Sequence, residues 1–256
     1  MNAQHILVTG AAGSIGGALA KRLALRHPDA ALTLVDRDTE RQAEIVAAIG
    51  GRAHAAAWDL SNVDSLGAYW AAAVVARGPV DVLVNCAGIM EIRTFAGTSW
   101  SLGSRLLAID LLSPLRLMNL FVEGRAGGAG AVVNVSSLAG VMPIRGCTYY
   151  GAAKAGLALA SEIARLELRA KDVHVLTVYP GPVRSALESG ARAQVTPGVI
   201  ARNIPTGEAD AIAARVVAAL DRRAARVVYP GVYKAAYAFL GLSGWVTAGL
   251  SPEPLE

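Results

Sequence analysis

Short apolar runs alternate with longer amphipathic stretches along the whole chain. Runs of four to six residues rich in Val, Ile and Leu are typical of strands buried on both faces of a parallel sheet, and the stretches between them repeat apolar residues at helical spacing. The predicted strands are residues 5–9, 32–36, 53–57, 80–85, 131–136, 173–179 and 226–229, and the predicted helices are residues 15–26, 39–49, 62–77, 100–123, 150–170 and 207–222.

This alternation of strands and helices predicts the fold class. It indicates an α/β fold with a Rossmann-type, doubly wound parallel sheet of about seven strands and helices on both faces. The length of 256 residues fits one such unit, so we expect a single dinucleotide-binding and catalytic domain over residues 1–256.

Two segments depart from the alternation. Residues 185–206 contain Pro, Gly and few large apolar residues, which predicts a mobile lid over a substrate. The extension 232–256 contains an uncharged stretch, residues 235–250, that is shorter than the roughly twenty residues a bilayer span needs. This stretch could wall a substrate cleft, pack against another subunit or lie on a membrane surface, and the sequence leaves all three open.

A glycine-rich turn joins the first predicted strand to the first predicted helix. Glycines there let the backbone approach a pyrophosphate closely, and the helix N-terminus offers free N–H groups and the positive end of its dipole. The context of strand, turn and helix favours a dinucleotide site over an ordinary tight turn. The candidate cofactor residues in this segment are Gly10, Ser14, Ile15 and Gly16.

A carboxylate, Asp36, ends the second predicted strand. It can accept hydrogen bonds from both ribose hydroxyls and would repel a 2′-phosphate, so we expect NAD rather than NADP. Arg37 is the opposing feature, because a basic residue directly after the acid can hold that phosphate. A solvated acid at the end of a strand is the alternative interpretation of Asp36.

Ser137, Tyr150 and Lys154 form the candidate catalytic group. Tyr150 and Lys154 share one helix face because they are four residues apart. A lysine ammonium favours the phenolate of a nearby tyrosine and so brings its pKa from about 10 toward the range of proton exchange. The Ser137 hydroxyl can hydrogen-bond the same substrate oxygen, so the group is suited to moving a proton on or off a hydroxyl or carbonyl oxygen.

These motifs together resemble the short-chain dehydrogenase/reductase family of the Ser-Tyr-Lys type, from about residue 5 to about residue 230. The family's T-G-x-x-x-[GAS]-x-G turn matches Thr9–Gly16. Its N-N-A-G segment appears with Cys86 in place of the second Asn, and its P-G-x-V-x-T segment appears at 180–185. The resemblance implies hydride transfer between nicotinamide and a secondary alcohol or ketone. It also implies further cofactor contacts at Asp59, Leu60, Asn85, Ala87, Gly88, Tyr150, Lys154, Pro180, Gly181 and Val183.

One position departs from the family's catalytic group. Where many members carry an Asn that helps to hold a water linked to the lysine, this chain has Asp110. Asp keeps the main-chain carbonyl but loses the amide donor and adds a charge near Lys154. It is either a tolerated near-isostere or the cause of an altered proton relay, and the sequence does not decide between them.

Composition narrows the remaining function classes. The net charge is +4 and the aromatic fraction is 5%, with no interleaving of basic and aromatic residues, so nucleic-acid binding is not expected. The four histidines have no ligand spacing, and we predict no metal site. Two cysteines, and no segment with the order of a signal peptide, favour a cytoplasmic location.

The partners predicted are a small molecule and further copies of the chain. The predicted helices 100–123 and 150–170 carry apolar residues on more than one face, which indicates a homodimer or homotetramer. A mostly apolar substrate of medium size is expected, although Arg145, Arg184 and Arg192 leave an anionic tail open. The candidate walls are Leu138, Val141, Met142, Pro143, Ile144, Cys147, Leu187, Val195, Val199, Ile204, Tyr237, Phe239 and Trp245.

Two other functions compete with this oxidoreductase. Asp110 and Cys86 depart from the family pattern and suggest a regulatory or scaffolding protein with an impaired site. The intact Ser137, Tyr150 and Lys154 argue against that function. An epimerase or dehydratase of the extended relatives usually has a different glycine pattern and a longer C-terminal sugar-binding domain.

Overall fold

The apolar runs of the sequence form a single sheet at the centre of the structure. A computed structural model describes residues 3–125, 127–196 and 204–255. In these ranges seven strands pair, all in parallel, in the order β3-β2-β1-β4-β5-β6-β7. They are β1 (His5–Thr9), β2 (Ala31–Val35), β3 (Ala53–Ala56), β4 (Val82–Asn85), β5 (Gly130–Val135), β6 (Val173–Pro180) and β7 (Arg226–Tyr229).

Helices connect the strands and cover the sheet. The α-helices of the described ranges are α1 (Ser14–Arg26), α2 (Thr39–Ile49), α3 (Leu66–Arg77), α4 (Trp100–Leu107), α5 (Ser113–Glu123), α6 (Thr148–Glu167), α7 (Ala186–Ala193), α8 (Ala209–Asp221), α9 (Tyr233–Ala238) and α10 (Leu240–Leu250). The predicted α/β fold with a doubly wound parallel sheet is therefore confirmed, and the strand bounds differ from the prediction by no more than two residues.

Alternation along each strand divides the core between the two faces of the sheet. In β1, Ile6 and Val8 pack with residues of α1 and α8 in one apolar cluster. Leu7, between them, packs with Trp70 of α3 and Phe121 of α5 in the cluster on the other face. Because successive strand side chains point to opposite faces, the continuous apolar runs supply both clusters at once.

The strand order reverses beside β1, which pairs with β2 on one side and with β4 on the other. Connections leave in opposite directions at such a point, and a crevice opens beyond the carboxyl ends of the strands. The glycine turn follows β1, the residue Asp36 follows β2, and the segment with Ser137 follows β5. The topology thus brings the sequence motifs to one edge of the sheet.

The predicted helix 100–123 is not one regular helix. Residues Ala108–Leu112 form a π-helical turn between α4 and α5. Pro114 follows in the first turn of α5, where the absence of its N–H is tolerated. Such single π turns are frequent at functional sites, and this one carries the buried Asp110.

The predicted lid, 185–206, contains a helix that the hydrophobic pattern did not predict. Helix α7 begins after Ser185, whose hydroxyl accepts a hydrogen bond from the N–H of Glu188 at 3.1 Å. Glu188 also pairs with Arg192 one turn later. Residues 197–203 of the predicted lid, with Val199, lie outside the described residues.

The uncharged C-terminal stretch forms α9 and α10. The ring of Tyr237 in α9 lies 4.9 Å from that of Tyr179 in β6, and Pro143 lies beside Gly244 of α10. These contacts place residues of α9 and α10 against the segment that follows Ser137. A C-terminal stretch that walls the substrate cleft would have to lie there. Phe239 and Trp245, however, are 68% and 78% exposed, so they do not wall a cleft in this structure.

Several surface arginines are paired with carboxylates. Arg22 of α1 donates to Asp210 of α8 at 2.7 Å, and Arg26 lies 2.9 Å from Asp221. These exposed pairs join α1 to α8 and reduce the free positive charge on that face. In the described parts of the chain, no helix combines the length and the apolar character needed to cross a bilayer.

Candidate active site

A groove of about 250 Å³ runs along the carboxyl edge of the sheet beside β1. It is lined by segments that follow four strands. The lining residues are Gly10, Ala12, Gly13, Val35, Asp36, Arg37, Asp38, Arg41, Trp58, Leu60, Cys86, Ala87, Gly88, Ile89 and Ile109. Six of these were predicted as cofactor residues from the sequence, namely Gly10, Asp36, Arg37, Leu60, Ala87 and Gly88, and the other nine were not.

The turn between β1 and α1 has the close backbone packing that a dinucleotide site requires. Only glycine fits at its key positions, because a side chain there would clash with the neighbouring backbone. Gly10 has a φ of +68°, and a Cβ on it would lie 2.7 Å from the backbone of Ala87. A Cβ on Gly16 would overlap the carbonyl of Gly10. Helix α1 starts at Ser14 with no acidic residue in its own first turn, so the helix itself places no negative charge beside its free N–H groups and positive dipole end.

Asp36 is fixed at the adjoining wall of the groove. Its Oδ2 accepts a hydrogen bond from the N–H of Ala12 at 2.9 Å, and its Oδ1 accepts from the N–H groups of Arg37 and Asp38 at 2.7 and 3.1 Å. The carboxylate therefore lies directly on the glycine turn. Arg37 and Arg41 are exposed residues of the same wall.

Two predicted cofactor residues have side chains engaged elsewhere. The Asp59 carboxylate accepts hydrogen bonds from the N–H and hydroxyl of Ser61 at 2.9 and 2.7 Å, and these bonds lower the pKa of Asp59. Its neighbour Leu60 lines the groove. The amide of Asn85 donates to Asn134 at 2.8 Å inside the sheet and so faces away from the groove.

The segment after β4 is held in place by Thr9. The hydroxyl of Thr9 accepts hydrogen bonds from the N–H groups of Cys86 and Ala87 at 3.1 and 3.2 Å. This fixes the backbone of Cys86, Ala87 and Gly88 against the glycine turn. Cys86 lines the groove, and burial raises the pKa of its thiol to about 12, so it stays a neutral thiol.

The three candidate catalytic residues come together at the end of β5. Ser137 follows β5, and its hydroxyl accepts a hydrogen bond from the N–H of Ala139 at 3.1 Å. Tyr150 and Lys154 are buried on α6, with the Lys154 Nζ 5.8 Å from the centre of the Tyr150 ring. Lys154 also donates to the carbonyl of Val135 at 3.1 Å, which ties α6 to the end of β5.

Asp110 forms a buried ion pair with Lys154. Its Oδ1 lies 3.1 Å from the Lys154 Nζ, and its Oδ2 accepts from the N–H of Ile89 at 3.2 Å. The Asp110 side chain is fully buried. A Cβ on Gly88 would lie 2.6 Å from the Asp110 Oδ1 and 3.2 Å from the Lys154 Nζ, so glycine is required for the pair to close.

Burial and charge together set the protonation of this group. Burial raises the pKa of Tyr150 and the Asp110 charge raises it further, while the Lys154 charge and a hydrogen bond with Ser137 lower it. Burial lowers the pKa of Lys154, but Asp110 and Tyr150 outweigh burial and raise it overall. Burial raises the pKa of Asp110 and the ammonium opposes this. The Lys154 ammonium beside Oδ1 and the Ile89 N–H on Oδ2 favour the carboxylate form of Asp110, whereas burial opposes it.

The segment after β6 adjoins Ser137. The N–H of Ser136 donates to the carbonyl of Val178 at 2.8 Å, which joins the ends of β5 and β6. Pro180 ends β6, and a Cβ on Gly181 would lie 3.2 Å from the side chain of Leu138. Val183 is buried in the core cluster on the α1 side.

Apolar residues pack around Tyr150. Tyr150 packs in a cluster with Ile92, Cys147 and Ala191, the last of which lies on α7. Ile144 and Val195, two of the predicted walls, adjoin this cluster, and Leu138, Met142 and Tyr237 form a second one nearby. Leu187 is 42% exposed.

The end of the chain closes over this region. The N–H of Thr196 donates to the carbonyl of Glu253 at 2.9 Å, and Arg145 lies 3.1 Å from the Glu253 carboxylate. The Ser251 hydroxyl accepts from the N–H of Arg145 at 2.9 Å. Residues 251–255 therefore link the segment after α7 to the loop before α6.

Comparisons with known proteins agree with this architecture. The model of the short chain dehydrogenase family matches residues 4–196. Cis-4-hydroxycyclohexanecarboxylate dehydrogenase of Sinomonas cyclohexanicum is 33% identical over 77% of this chain and 80% of that protein. Ketoacyl reductase HetN of Nostoc sp. is 33% identical over 72% of this chain, which spans 64% of the length of that relative.

Solved structures resemble nearly the whole chain. A short-chain dehydrogenase from Sphingobium yanoikuyae in complex with NADPH has a TM-score of 0.77 and 28% identity, covering 97% of this chain and 95% of that one. A short-chain dehydrogenase from Streptomyces avermitilis has a TM-score of 0.79 and 29% identity, covering 97% and 94%.

The parallel sheet and the glycine cradle define a nucleotide-dependent oxidoreductase. With a family match over residues 4–196, the chain belongs to the short-chain dehydrogenases/reductases and is an enzyme of that family. The alternative of a regulatory protein with an impaired site finds no support in these relatives, which are named dehydrogenases and reductases.

Two features of the site have local signals in the sequence but are absent from the predictions made above. Ser185 followed by Glu188 is a capping pattern that marks the start of α7. Arg41 lies in the first turn of α2, where the N-cap Asp38 accepts its N–H at 3.0 Å, and this turn borders the groove.

Proposed function

We propose that this enzyme transfers a hydride between a nicotinamide dinucleotide and a secondary alcohol or ketone, with Tyr150 as the proton donor or acceptor. The observation that carries the proposal is the placement of Tyr150 and Lys154. They are buried on one face of α6, beside Ser137 and at the edge where the groove runs. A phenol, an ammonium and a hydroxyl in this order are the parts that proton transfer to a carbonyl oxygen needs.

Each side chain has a distinct part in this chemistry. Tyr150 gives its phenolic proton to the carbonyl oxygen in reduction and takes it back in oxidation, while the Ser137 hydroxyl holds that oxygen. Two of the three protons of the Lys154 ammonium face Val135 and Asp110. The third is available to a ribose hydroxyl.

The groove residues fit the cofactor without rearrangement of the turn. The backbone at Gly10, Ser14, Ile15 and Gly16 would hold the pyrophosphate at the start of α1. When bound, the nicotinamide supplies the hydride or accepts it. Ala87, Gly88 and the segment Pro180–Val183 would help to hold its ring near Ser137 and Tyr150.

The substrate is a mostly apolar molecule of medium size. The cluster of Ile92, Cys147 and Ala191 around Tyr150 supports this, because it offers apolar contacts beside the reacting phenol. One relative is named for a hydroxylated cyclohexane carboxylate and another for ketoacyl reduction. Both names describe a carbonyl or alcohol carbon on an apolar body with a polar end.

A ketone series tests the substrate class. We expect kcat/KM to rise from small ketones to cyclic and branched ketones of six to ten carbons, by about tenfold for each 1.4 kcal/mol of added apolar contact. The rates are measured as nicotinamide absorbance at constant cofactor. A preference for small, highly hydroxylated sugars would contradict the apolar cleft.

The cofactor is NAD(H) rather than NADP(H) in this proposal. The Asp36 carboxylate lies on the glycine turn, where a 2′-phosphate would meet its negative charge. Arg37 and Arg41 on the same wall provide opposing positive charge, and the NADPH complex of the Sphingobium yanoikuyae protein favours the other cofactor. The proposal therefore rests on the short distance between Asp36 and the turn.

Replacing Asp36 by Ala isolates this contribution. With Arg37 and Arg41 retained, we expect the ratio of kcat/KM for NADPH to that for NADH to rise by about tenfold or more, because the repulsion is lost and the attraction stays. Steady-state kinetics with both cofactors give the ratio. Asp29→Ala, which removes an exposed carboxylate outside the groove, is the control and should leave the ratio unchanged. A wild-type preference for NADPH would contradict the assignment.

The last part of the proposal is that copies of this chain associate through an exposed apolar face of α6. Leu159, Ile163 and Leu166 are exposed and follow one another at helical spacing on α6. An apolar stripe of this kind needs cover, and a second copy of the chain would supply it. A homodimer or homotetramer built on this face accounts for the exposure.

A further inference from the structure

The proposed proton transfer does not use the carboxylate of Asp110. It is fully buried and lies 3.1 Å from the Lys154 ammonium, the group that favours the phenolate of Tyr150. Specific contacts hold the carboxylate in this position. The Ile89 N–H holds its second oxygen, and Gly88 leaves room for the pair.

We infer that Asp110 is a positioning residue that neutralises the field of Lys154 at Tyr150, so that the site holds a proton-donating phenol and favours reduction of a carbonyl substrate. An unpaired ammonium next to a tyrosine stabilises the phenolate, the form that alcohol oxidation requires. A carboxylate in contact with that ammonium cancels most of the attraction, because the phenol then faces a pair with no net charge. The kinetic part of this inference rests on the proposed function, whereas the ionisation of Tyr150 does not.

Few other charges act on this group in the described structure. Besides Lys154, Asp110 and Tyr150 themselves, the titratable groups with the largest effects on Tyr150 and Lys154 are the thiols of Cys147 and Cys86. Burial raises the pKa of both thiols, to about 11 and about 12, so they are neutral at physiological pH. The ion pair therefore controls the charge that the phenol experiences.

The direction of the effect follows from proton counting. With Asp110 ionised, the group of Asp110, Lys154 and the phenol has no net charge, and losing a proton creates a buried negative charge. With Asn at 110, losing one proton from Tyr150 and Lys154 removes a buried positive charge instead. This loss therefore occurs at lower pH in the variant, whichever of the two groups gives up the proton.

Titration of the phenol in Asp110→Asn tests the inference without any substrate. Protein labelled with ¹³C at the tyrosine ring carbon that bears the hydroxyl reports each ionisation by NMR, and Tyr150→Phe identifies the signal among the seven tyrosines. We expect the wild-type phenol to stay protonated beyond the ordinary pKa of a tyrosine, because burial raises the pKa of Tyr150. In Asp110→Asn the transition should move down by about one pH unit or more.

The pH profile of turnover gives a second readout. Ketone reduction needs the protonated phenol, so its alkaline limb should move to lower pH in Asp110→Asn. Alcohol oxidation needs the phenolate, so its activity should rise at lower pH than in the wild type. A protein that turns over no alcohol or ketone would overturn the proposed function, while the NMR titration would still decide on Asp110.

Ser113→Ala is the matched control for a purely structural effect. Ser113 is fully buried in the first turn of α5 and donates its hydroxyl to the carbonyl of Leu60, so its loss disturbs the same segment without changing charge. It should leave the titration where it is. The inference is overturned if Ser113→Ala shifts the phenol as far as Asp110→Asn, or if Asp110→Asn leaves it unmoved. If Asp110→Asn does not fold, the wild type still decides, because a Tyr150 that ionises well below the ordinary pKa of a tyrosine overturns the inference.

Discussion

Replacing Tyr150 by Phe is expected to lower kcat by about 10²–10⁴-fold, the usual contribution of a general acid or base. The ring remains in its cluster with Ile92 and Cys147, and only the transferable proton is lost. The free energy of unfolding should therefore change little. Cofactor affinity should also be retained, because the backbone of the glycine turn and Asp36 are untouched. Steady-state kinetics, thermal unfolding and a cofactor titration measure the three quantities.

Tyr149→Phe is the control for this substitution. Tyr149 precedes Tyr150 on α6, but its ring stacks on Phe95 at 6.0 Å. It should keep near-normal kcat. If Tyr150→Phe retained the wild-type kcat as well, the proton would have to come from another group, and the assignment of Tyr150 would be wrong.

Replacing Gly10 by Ala should have the second largest effect, on cofactor binding. An alanine at φ +68° adopts the left-handed region at a cost of about 1–2 kcal/mol. Its Cβ would also lie 2.7 Å from the Ala87 backbone, so the turn and the segment after β4 must separate. We expect the Kd for the dinucleotide to rise by about tenfold or more, since 1.4 kcal/mol of misplacement is enough for that change.

Gly50→Ala separates the effect of backbone strain at a positive φ from the effect of the steric clash with Ala87. Gly50 also has a positive φ, +92°, but no atom lies within 4 Å of the Cβ position. This variant should lose stability and keep its cofactor affinity. Unchanged affinity in Gly10→Ala, or equal loss in both variants, would show that the cradle is not where the dinucleotide binds.

The strands and the motifs were predictable from the sequence because their signals are local. Buried parallel strands appear as continuous apolar runs, and the strand order places their ends together without any knowledge of side-chain contacts. Gly10, Asp36, Ser137 and Tyr150 were therefore predictable as candidate site residues from local patterns in the sequence.

The features of the site that the sequence did not predict depend on contacts between residues that are distant in the sequence. The ion pair between Asp110 and Lys154 joins the π-helical turn to α6, and no spacing rule relates the two positions. Likewise, the Asn85 side chain turns into the sheet because Asn134 on β5 accepts its amide proton. Helix α7 was missed for another reason, since Pro and Gly elsewhere in 185–206 outweighed the capping pattern at Ser185.

Hydride transfer itself is the most direct test of the proposed activity. The wild type and Tyr150→Phe are incubated with cyclic ketones and NADH carrying deuterium at the transferable position, with NADPH labelled in the same way as a parallel arm. The alcohol product is then analysed by mass spectrometry. We predict one deuterium on the carbinol carbon of the wild-type product and little product from the variant. Alcohol without deuterium, or equal amounts of labelled alcohol from both proteins, would contradict the proposed roles of the groove and Tyr150.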